Sequence, residues 1–248
     1  MSIYKENMNI TTFMNSNSKW KILEKLYDKN ILYDNNDVIP KIIHQIWLGS
    51  ELPQEAKILS EKVKSINKNF EYRLWTDKDV DVFGLKNKEL FNNIKNLGAK
   101  SDIFRYEILE RIGGIYLDTD FICVKPFDNL LHLDFWAGNG HVSEPDIFNS
   151  IMASKPNDKI ISKIVSELQK KKNFVDNIDG VMNNTGPYFI TKCFYDVVNE
   201  DDKCIIYPTT YFFPFPATLR HSKNERLAEQ FIHKNTYAIH LWKTTWQK

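Results

Sequence analysis

The sequence predicts an α/β fold, with a mainly parallel central sheet flanked by helices and a less regular carboxyl-terminal half. Short apolar runs of strand length alternate with amphipathic runs of helix length between residues 41 and 117, and such alternation builds a parallel sheet covered on both faces. At 248 residues, 42% hydrophobic and 26% charged, the chain can bury one substantial core. No internal repeat or low-complexity linker divides it. One principal domain is therefore expected over 39–248, preceded by a helical appendage at 1–38.

Residues 1–38 are polar and rich in Asn except for Trp20, Ile22, Leu23, Leu26 and Tyr27, whose spacing suits one amphipathic helix before the DNND turn at 34–37. Pro40 precedes KIIHQIWL at 41–48, a buried strand by length and composition, which Gly49 and Ser50 end. A helix over 54–67 follows, then a strand over 71–76, a helix near 87–97, a longer helix over 99–112 and a strand over 114–117. Farther on, FICVKPF at 121–127 and DFWAG at 134–138 are strand-like, and 157–172 and 187–198 are helix-like. Residues 204–216 read as a strand running into a Pro- and aromatic-rich loop.

The net charge of +1 gives no bulk field to draw the chain to nucleic acid or to an anionic membrane, so no nucleic-acid partner is expected. No apolar run reaches the roughly 18 to 20 residues of a membrane span, and the opening MSIYKENMNITTF lacks the apolar core and cleavage site of a signal peptide. The expected location is cytoplasmic. The apolar stripe of Trp20 to Tyr27 and the basic run at 170–172 leave room for peripheral association with the inner face of a membrane, although a packed stripe and a solvated face are the plainer reading. Cys123, Cys193 and Cys204 lack CxxC spacing and suggest neither a disulfide framework nor a zinc site.

The helix over 99–112 says more than fold. At 100° per residue Asp102, Phe104, Arg105, Tyr106, Ile108, Leu109 and Ile112 share one arc, with Glu107, Glu110 and Arg111 opposite and Ile103 the apolar exception among them. Two ionisable residues, Asp102 and Arg105, thus face inward. Gly113 and Gly114 end the helix, and the following strand leads straight into Asp118-Thr119-Asp120. Ligands of open α/β sheets bind beyond the carboxyl ends of the strands, so both carboxylates enter a cleft. Two hard oxygen ligands suit Mg²⁺ or Mn²⁺, with water and substrate phosphates filling the other positions. The tripeptide alone is weak, since 18 aspartates in 248 positions give about one such pair by chance. Context separates this pair from Asp77, Asp79 and Asp81, which lie in a polar stretch that reads as a helix start with solvated charges.

The run AKSDIFRYEILERIGGIYLDTD at 99–120 closely resembles the DxD region of glycosyltransferase family 32, and the same block is similar to that of the large clostridial glucosylating toxins. IPKIIHQIWLG at 39–49 resembles the family's opening strand, and NTGP at 184–187 and AIHLWKTTW at 238–246 resemble its later motifs. The resemblance spans about residues 39–246. It implies the GT-A fold, a nucleotide-sugar donor, a divalent cation (Mn²⁺ or Mg²⁺) and transfer with retention of anomeric configuration. Asp102 and Arg105 match residues that bind the donor sugar. Tyr116 and Asp118 match donor-contacting positions, and Asp120 matches the direct metal ligand. Trp47 matches a residue that stacks on uracil, whereas a strand Trp without the family is usually core. Ile46 and Ser101 are carried over with the donor site, and His240 and Trp242 as groups that close over the pyrophosphate or complete the metal shell, with Asp118 and His240 as further metal ligands.

These parts describe a hexosyl or N-acetylhexosaminyl transfer, with a UDP-sugar favoured through Trp47, to a glycan or glycolipid acceptor in surface polysaccharide, lipopolysaccharide or other glycan assembly. Asn183, Asn184 and the YFFPFP loop at 211–216 are acceptor candidates, although a turn before a helix and an aromatic run both have ordinary structural uses. No second carboxylate stands out as a nucleophile, which favours front-face transfer. Two other classes use similar residues: a metal-dependent phosphohydrolase, and a catalytically silent nucleotide-sugar-binding module. The chain lacks a GxxxxGK(S/T) loop and a second carboxylate cluster, and its Asp102, Arg105, Asp118 and Asp120 are all in place.

Overall fold

A computed structural model describes residues 18–171, 174–221 and 225–243. The opening at 1–13, Lys172 of the basic run and residues 244–246 of the closing motif lie outside the described residues. Among the described residues, six strands form one sheet in the order β2-β1-β3-β6-β5-β7. Strands β1 (Ile42–Ile46), β2 (Glu71–Trp75) and β3 (Gly114–Leu117) are mutually parallel. β6 (Ile147–Ser154) runs antiparallel between β3 and β5 (Phe135–Asn139), and β7 (Cys204–Tyr207) is parallel to β5. The sheet is thus mostly parallel with one reversed strand, as the alternating pattern implies. β3, β5 and β7 are buried at every residue, which is what helices on both faces produce. β4 (Phe121–Cys123) and β8 (Ala238–His240) form a separate antiparallel pair.

β6 has no counterpart among the strands expected from the sequence. Its residues IFNSIMAS carry Asn149, Ser150 and Ser154, which interrupt the apolar run that marks a central strand. The antiparallel pairing with β3 brings Asn149 and Ser150 beside the DxD segment, where Ser150 O accepts the Asp118 amide at 2.8 Å, and sets Ser154 against Gly114 at the other end of the strand.

Helix α1 (Ser18–Asn30) buries Trp20, Leu23, Leu26 and Tyr27, as their spacing requires. Its stripe is used within the fold and does not face outward. It packs on β7, Tyr27 and Tyr211 share a hydroxyl contact at 2.7 Å, and its buried residues belong to the same core as the sheet. Helix α2 (Gln54–Ile66) and helix α3 (Asp77–Phe83) follow β1 and β2. The aspartates of α3 are a helix start, with a Thr76/Asp79 capping box. Helix α4 (Lys88–Asn93) is shorter than the 87–97 expected, because Ile94 is extended and Asn96 caps α5 (Leu97–Arg111) by accepting from the Ala99 amide.

Helix α5 is buried on almost every side, so the outward face assigned to Glu107 and Glu110 does not exist. Glu107 accepts from the amides of Lys86 and Asn87, and Glu110 pairs with Lys86 Nζ at 2.6 Å. Periodicity could not reveal this, since it ranks faces by polarity and a buried carboxylate that finds donors looks the same in sequence as a solvated one. Helices α6 (Lys159–Gln169), α7 (Ile178–Asn184) and α8 (Pro187–Val197) cover the second half, α7 without a forecast and α8 with Pro at its first turn. The loop after β7 contains a single helical turn, α9 (Thr209–Phe212). Tyr211, Phe212, Phe213 and Phe215 are all buried, so the aromatic run is core and no acceptor surface. The three cysteines are free and buried.

Candidate active site

The path from α5 to the two aspartates depends on two glycines. Gly113 and Gly114 have φ of 72° and 99°, a region that suits residues without a Cβ. A Cβ at Gly114 would stand 2.7 Å from Ile42 O and 2.9 Å from His44 Nε2. His44 holds the turn from β1. Its Nδ1 accepts from the Trp75 indole at 3.1 Å, so Nε2 carries the proton and donates to Gly113 O at 2.9 Å. Burial lowers its pKa to about 4, which keeps the ring neutral in that role. From the turn, β3 runs parallel to β1 and delivers Asp118 to the carboxyl edge of the sheet. Buried Gln45 donates to Asp118 O at 3.1 Å while its own oxygen accepts from Ser60 and Tyr72.

Asp102, Arg105, Tyr116 and Asp118 are brought together as the sequence implies. Arg105 Nη2 lies 3.2 Å from Asp102 Oδ1 and 3.3 Å from Asp118 Oδ1, and its guanidinium covers the Tyr116 ring at 4.3 Å. The Tyr116 hydroxyl donates to Asp118 Oδ1 at 2.5 Å. Arg105 also donates to Asn149 O and to Ser101 O, so Ser101 contributes its main chain to this group. Burial pushes Asp102 up to about 6, opposed by the Arg105 charge and the Thr185 and Asn149 hydrogen bonds. Desolvation also raises Asp118, with Arg105 pulling the other way.

Asp120 immediately precedes β4 of the second sheet. Phe121 pairs with His240 in the β4 and β8 register, which sets His240 Nε2 3.2 Å from Asp120 Oδ1. The Lys243 amide donates to Asp120 Oδ2 at 2.8 Å, after Trp242 turns the chain through a left-handed φ of 57°. Burial alone would raise Asp120. The charge and hydrogen bond of His240, with the Lys243 amide, outweigh it and hold the carboxyl below its ordinary value. Ligand atoms of Asp118, Asp120 and His240 lie within 4.8 Å of one another. Two carboxylates and an imidazole at that spacing fit a hard divalent cation such as Mn²⁺ or Mg²⁺. The donor set itself supports the fit: His240 Nε2, the ring nitrogen that faces Asp120, would be the imidazole ligand beside the two carboxylates.

Trp47 follows β1 at the same edge. It is half-buried, its indole donates to Ser50 Oγ at 3.1 Å, and with Leu52, Lys57, Leu74 and Asp77 it lines a cleft of about 510 Å³. Ile46 beside it is buried core. The carboxylates of the DxD segment do not line that cleft. Trp242 is buried among Phe148, Phe213 and His240, with its indole committed to Phe215 O at 2.8 Å. Asn183 and Asn184 each donate the side-chain amide within α7, to Asp179 O and Gly180 O. The residues that do reach Asp102 are Asn149 and Thr185, at 2.8 Å each. Asn149 lies in β6, whose polar residues give no strand signal in the sequence, and Thr185 stands in the NTGP motif one position after Asn184.

Residues 53–136 match the family described as the glycosyltransferase sugar-binding region containing the DXD motif. The chain is 34% identical over 176 residues to an uncharacterized glycosyltransferase of Acanthamoeba polyphaga mimivirus, the match covering 67% of each chain. It is 29% identical over 184 residues to inositol phosphoceramide mannosyltransferase 3 of Schizosaccharomyces pombe, covering 72% of this chain and 51% of that one. A mannosyl phosphorylinositol ceramide synthase of Saccharomyces cerevisiae is 31% identical over 160 residues, covering 62% of this chain and 42% of its own. The chain therefore spans about half the length of these fungal relatives. Among solved structures, the PaToxG glycosyltransferase aligns with a TM-score of 0.53 at 19% identity, covering 72% of this chain and 77% of that one. The catalytic domain of alpha-toxin from Clostridium novyi aligns with a TM-score of 0.55 at 10% identity, covering 99% and 88%. At such identities the likeness is one of fold, and the fold is GT-A.

Proposed function

Because the chain belongs to the glycosyltransferase family with a DxD-containing sugar-binding region, we propose that it moves a hexose or N-acetylhexosamine, with retention, from a UDP-sugar to a glycan or glycolipid acceptor. The observation that carries this reading is the meeting of two groups at one sheet edge: Asp102 with Arg105, and Asp118 and Asp120 with His240. Sugar and diphosphate ends of one donor would lie on these two groups, with the base against Trp47. No helix among the described residues is long and apolar enough to cross a membrane. The enzyme is cytoplasmic and engages its acceptor at a membrane face, and the inositol phosphoceramide in the fungal relatives' names supports a lipid-linked acceptor.

A divalent cation held by Asp118, Asp120 and His240 would neutralise the charge that builds on the departing diphosphate. The chain's own residues do the rest. Arg105, buried and bound to both Asp102 and Asp118, keeps a fixed positive charge between the sugar and diphosphate ends. Tyr116 orients the Asp118 carboxylate by its hydroxyl, so that the second oxygen faces the ligand. Asp102 accepts hydrogen bonds from sugar hydroxyls remote from the broken bond and thereby fixes the ring. Both oxygens of Asp102 are already hydrogen-bonded to protein groups, which leaves it poorly suited as a covalent nucleophile and favours front-face transfer.

The mannosyl transfer in the fungal relatives' names favours a second donor, a mannose nucleotide. Incubation with Mn²⁺ and UDP-glucose, UDP-N-acetylglucosamine, UDP-galactose or GDP-mannose, following release of nucleoside diphosphate, separates the readings. Slow donor hydrolysis yielding diphosphate and free sugar is expected. Release of monophosphate would make the protein a phosphohydrolase, and tight binding without turnover a silent module.

A further inference from the structure

The NTGP motif is not absorbed by the metal and donor groups, yet its Thr185 turns back on them by side chain and main chain. We propose that Thr185 is a positioning residue for sugar recognition, its buried hydroxyl holding Oδ2 of Asp102 while Arg105 and Asn149 hold Oδ1. The proposal rests on the reading of Asp102 as a ligand of the donor sugar.

Thr185 is fully buried and has two acceptors within reach, Asp102 Oδ2 at 2.8 Å and Val181 O at 3.3 Å. Val181 O already takes the Thr185 and Gly186 amides, at 3.0 and 2.8 Å. The single hydroxyl proton therefore goes to the carboxylate, where the bond is shorter and charge-assisted. Thr185 O in turn accepts from the Tyr106 hydroxyl at 2.5 Å. Asp102 and Tyr106 are four residues apart on one face of α5, so the helix grips Thr185 by side chain and main chain at once. Asn149 closes the ring, since its amide nitrogen donates to Asp102 Oδ1 and to the Tyr106 hydroxyl, both at 2.8 Å. Tyr106 has spent its proton on Thr185 O and can only accept there. Every proton in the ring is assigned, and the Asp102 carboxylate has one orientation.

The neighbouring residues serve the same end. Gly186 sits where a Cβ would be 3.1 Å from Val181 O, and Pro187 starts α8, so the turn between α7 and α8 is tight and places Thr185 at a set depth. Among the described residues Oδ2 of Asp102 accepts from Thr185 alone, so it keeps a lone pair for a sugar hydroxyl. The direction of that lone pair is set by the bond to Thr185.

The test compares Thr185→Val, which keeps the shape, with Thr185→Ser, which keeps the hydroxyl, in the presence of Mn²⁺. Donor hydrolysis is measured on UDP-glucose, UDP-galactose and GDP-mannose, and affinity for UDP checks the fold. Thr185→Val is expected to bind UDP as the parent does, to lose about 10- to 100-fold in kcat/KM on the best donor, and to discriminate less between donors. Thr185→Ser should recover to within about threefold of the parent. In an Asp102→Asn background, Thr185→Val should add little, because the two act through one carboxylate. Equal damage from both Thr185 variants, full additivity with Asp102→Asn, or loss of UDP binding in both would assign Thr185 to packing and overturn the proposal. An impaired Asp102→Asn beside an unimpaired Thr185→Val sinks the role of Thr185 alone. A normal Asp102→Asn sinks the reading beneath it.

Discussion

His240 and Asp120 meet across two short antiparallel strands, imidazole Nε2 to carboxylate Oδ1 at 3.2 Å, though 119 positions separate them in the chain. That contact turns a DxD tripeptide into a three-ligand site. His240→Ala is expected to weaken Mn²⁺-dependent UDP binding by about 10- to 100-fold. Asp120→Asn should abolish the cation dependence and lower turnover by several orders of magnitude. Calorimetry of UDP binding in chelator and in Mn²⁺ checks both. Equal affinities in the two conditions for the parent protein would remove the metal from the site.

Trp47 lines the cleft beside the sheet edge, half-buried and with its indole nitrogen occupied by Ser50. Its ring face is what remains for a base. Trp47→Ala should weaken UDP and UDP-sugar alike, by about 1 to 3 kcal/mol, with little change in turnover at saturating donor. A variant that unfolds while its folded fraction keeps full UDP affinity would make Trp47 a core residue.

Asp102 is protonated more readily in the folded chain, at about 6, than at its ordinary value of 3.8. Between those two pH values the folded state binds more protons than the unfolded one, so this group's stabilising contribution is present at low pH and lost as pH rises through the window. Against Asp102→Asn, which cannot titrate, the parent should lose on the order of 3 kcal/mol from pH 4 to pH 7. Urea denaturation of both proteins at several pH values measures it. A difference that does not change with pH would mean that Arg105 keeps Asp102 ionised throughout.

Helix α1 buries Leu23 completely between itself and the strand β7 side of the core. Leu23→Ala should cost about 2 to 5 kcal/mol. A fragment of residues 39–248 should accordingly be much less stable than the whole chain, although the donor site lies outside α1. Thermal melting of the fragment decides whether the domain boundary at residue 39 has physical meaning. A fragment that melts with the intact chain would make the helix a true appendage.

Local patterns in the sequence determined the elements whose cause is local. KIIHQIWL at 41–48 holds strand β1 (Ile42–Ile46) because it is short, apolar and ended by glycine, and the run from Ala99 to Asp120 lies across the helix, turn and strand that its periodicity and paired glycines describe. The inward placement of Asp102 and Arg105 and the delivery of Asp118 to the sheet edge were also legible, because one helix, one tight turn and one strand set them, while the resemblance to the family joined Tyr116 to the group. Only the tertiary structure decided the rest. β6 shows no apolar alternation, and its antiparallel place next to β3 depends on pairing with a strand 30 residues away in sequence. Glu107 and Glu110 are buried by donors on another segment, and Thr185 reaches Asp102 across 83 residues while its neighbours Asn183 and Asn184 turn into their own helix. Such contacts are set by chain topology and by the need to satisfy each buried polar group, and neither leaves a periodic trace in the order of the residues.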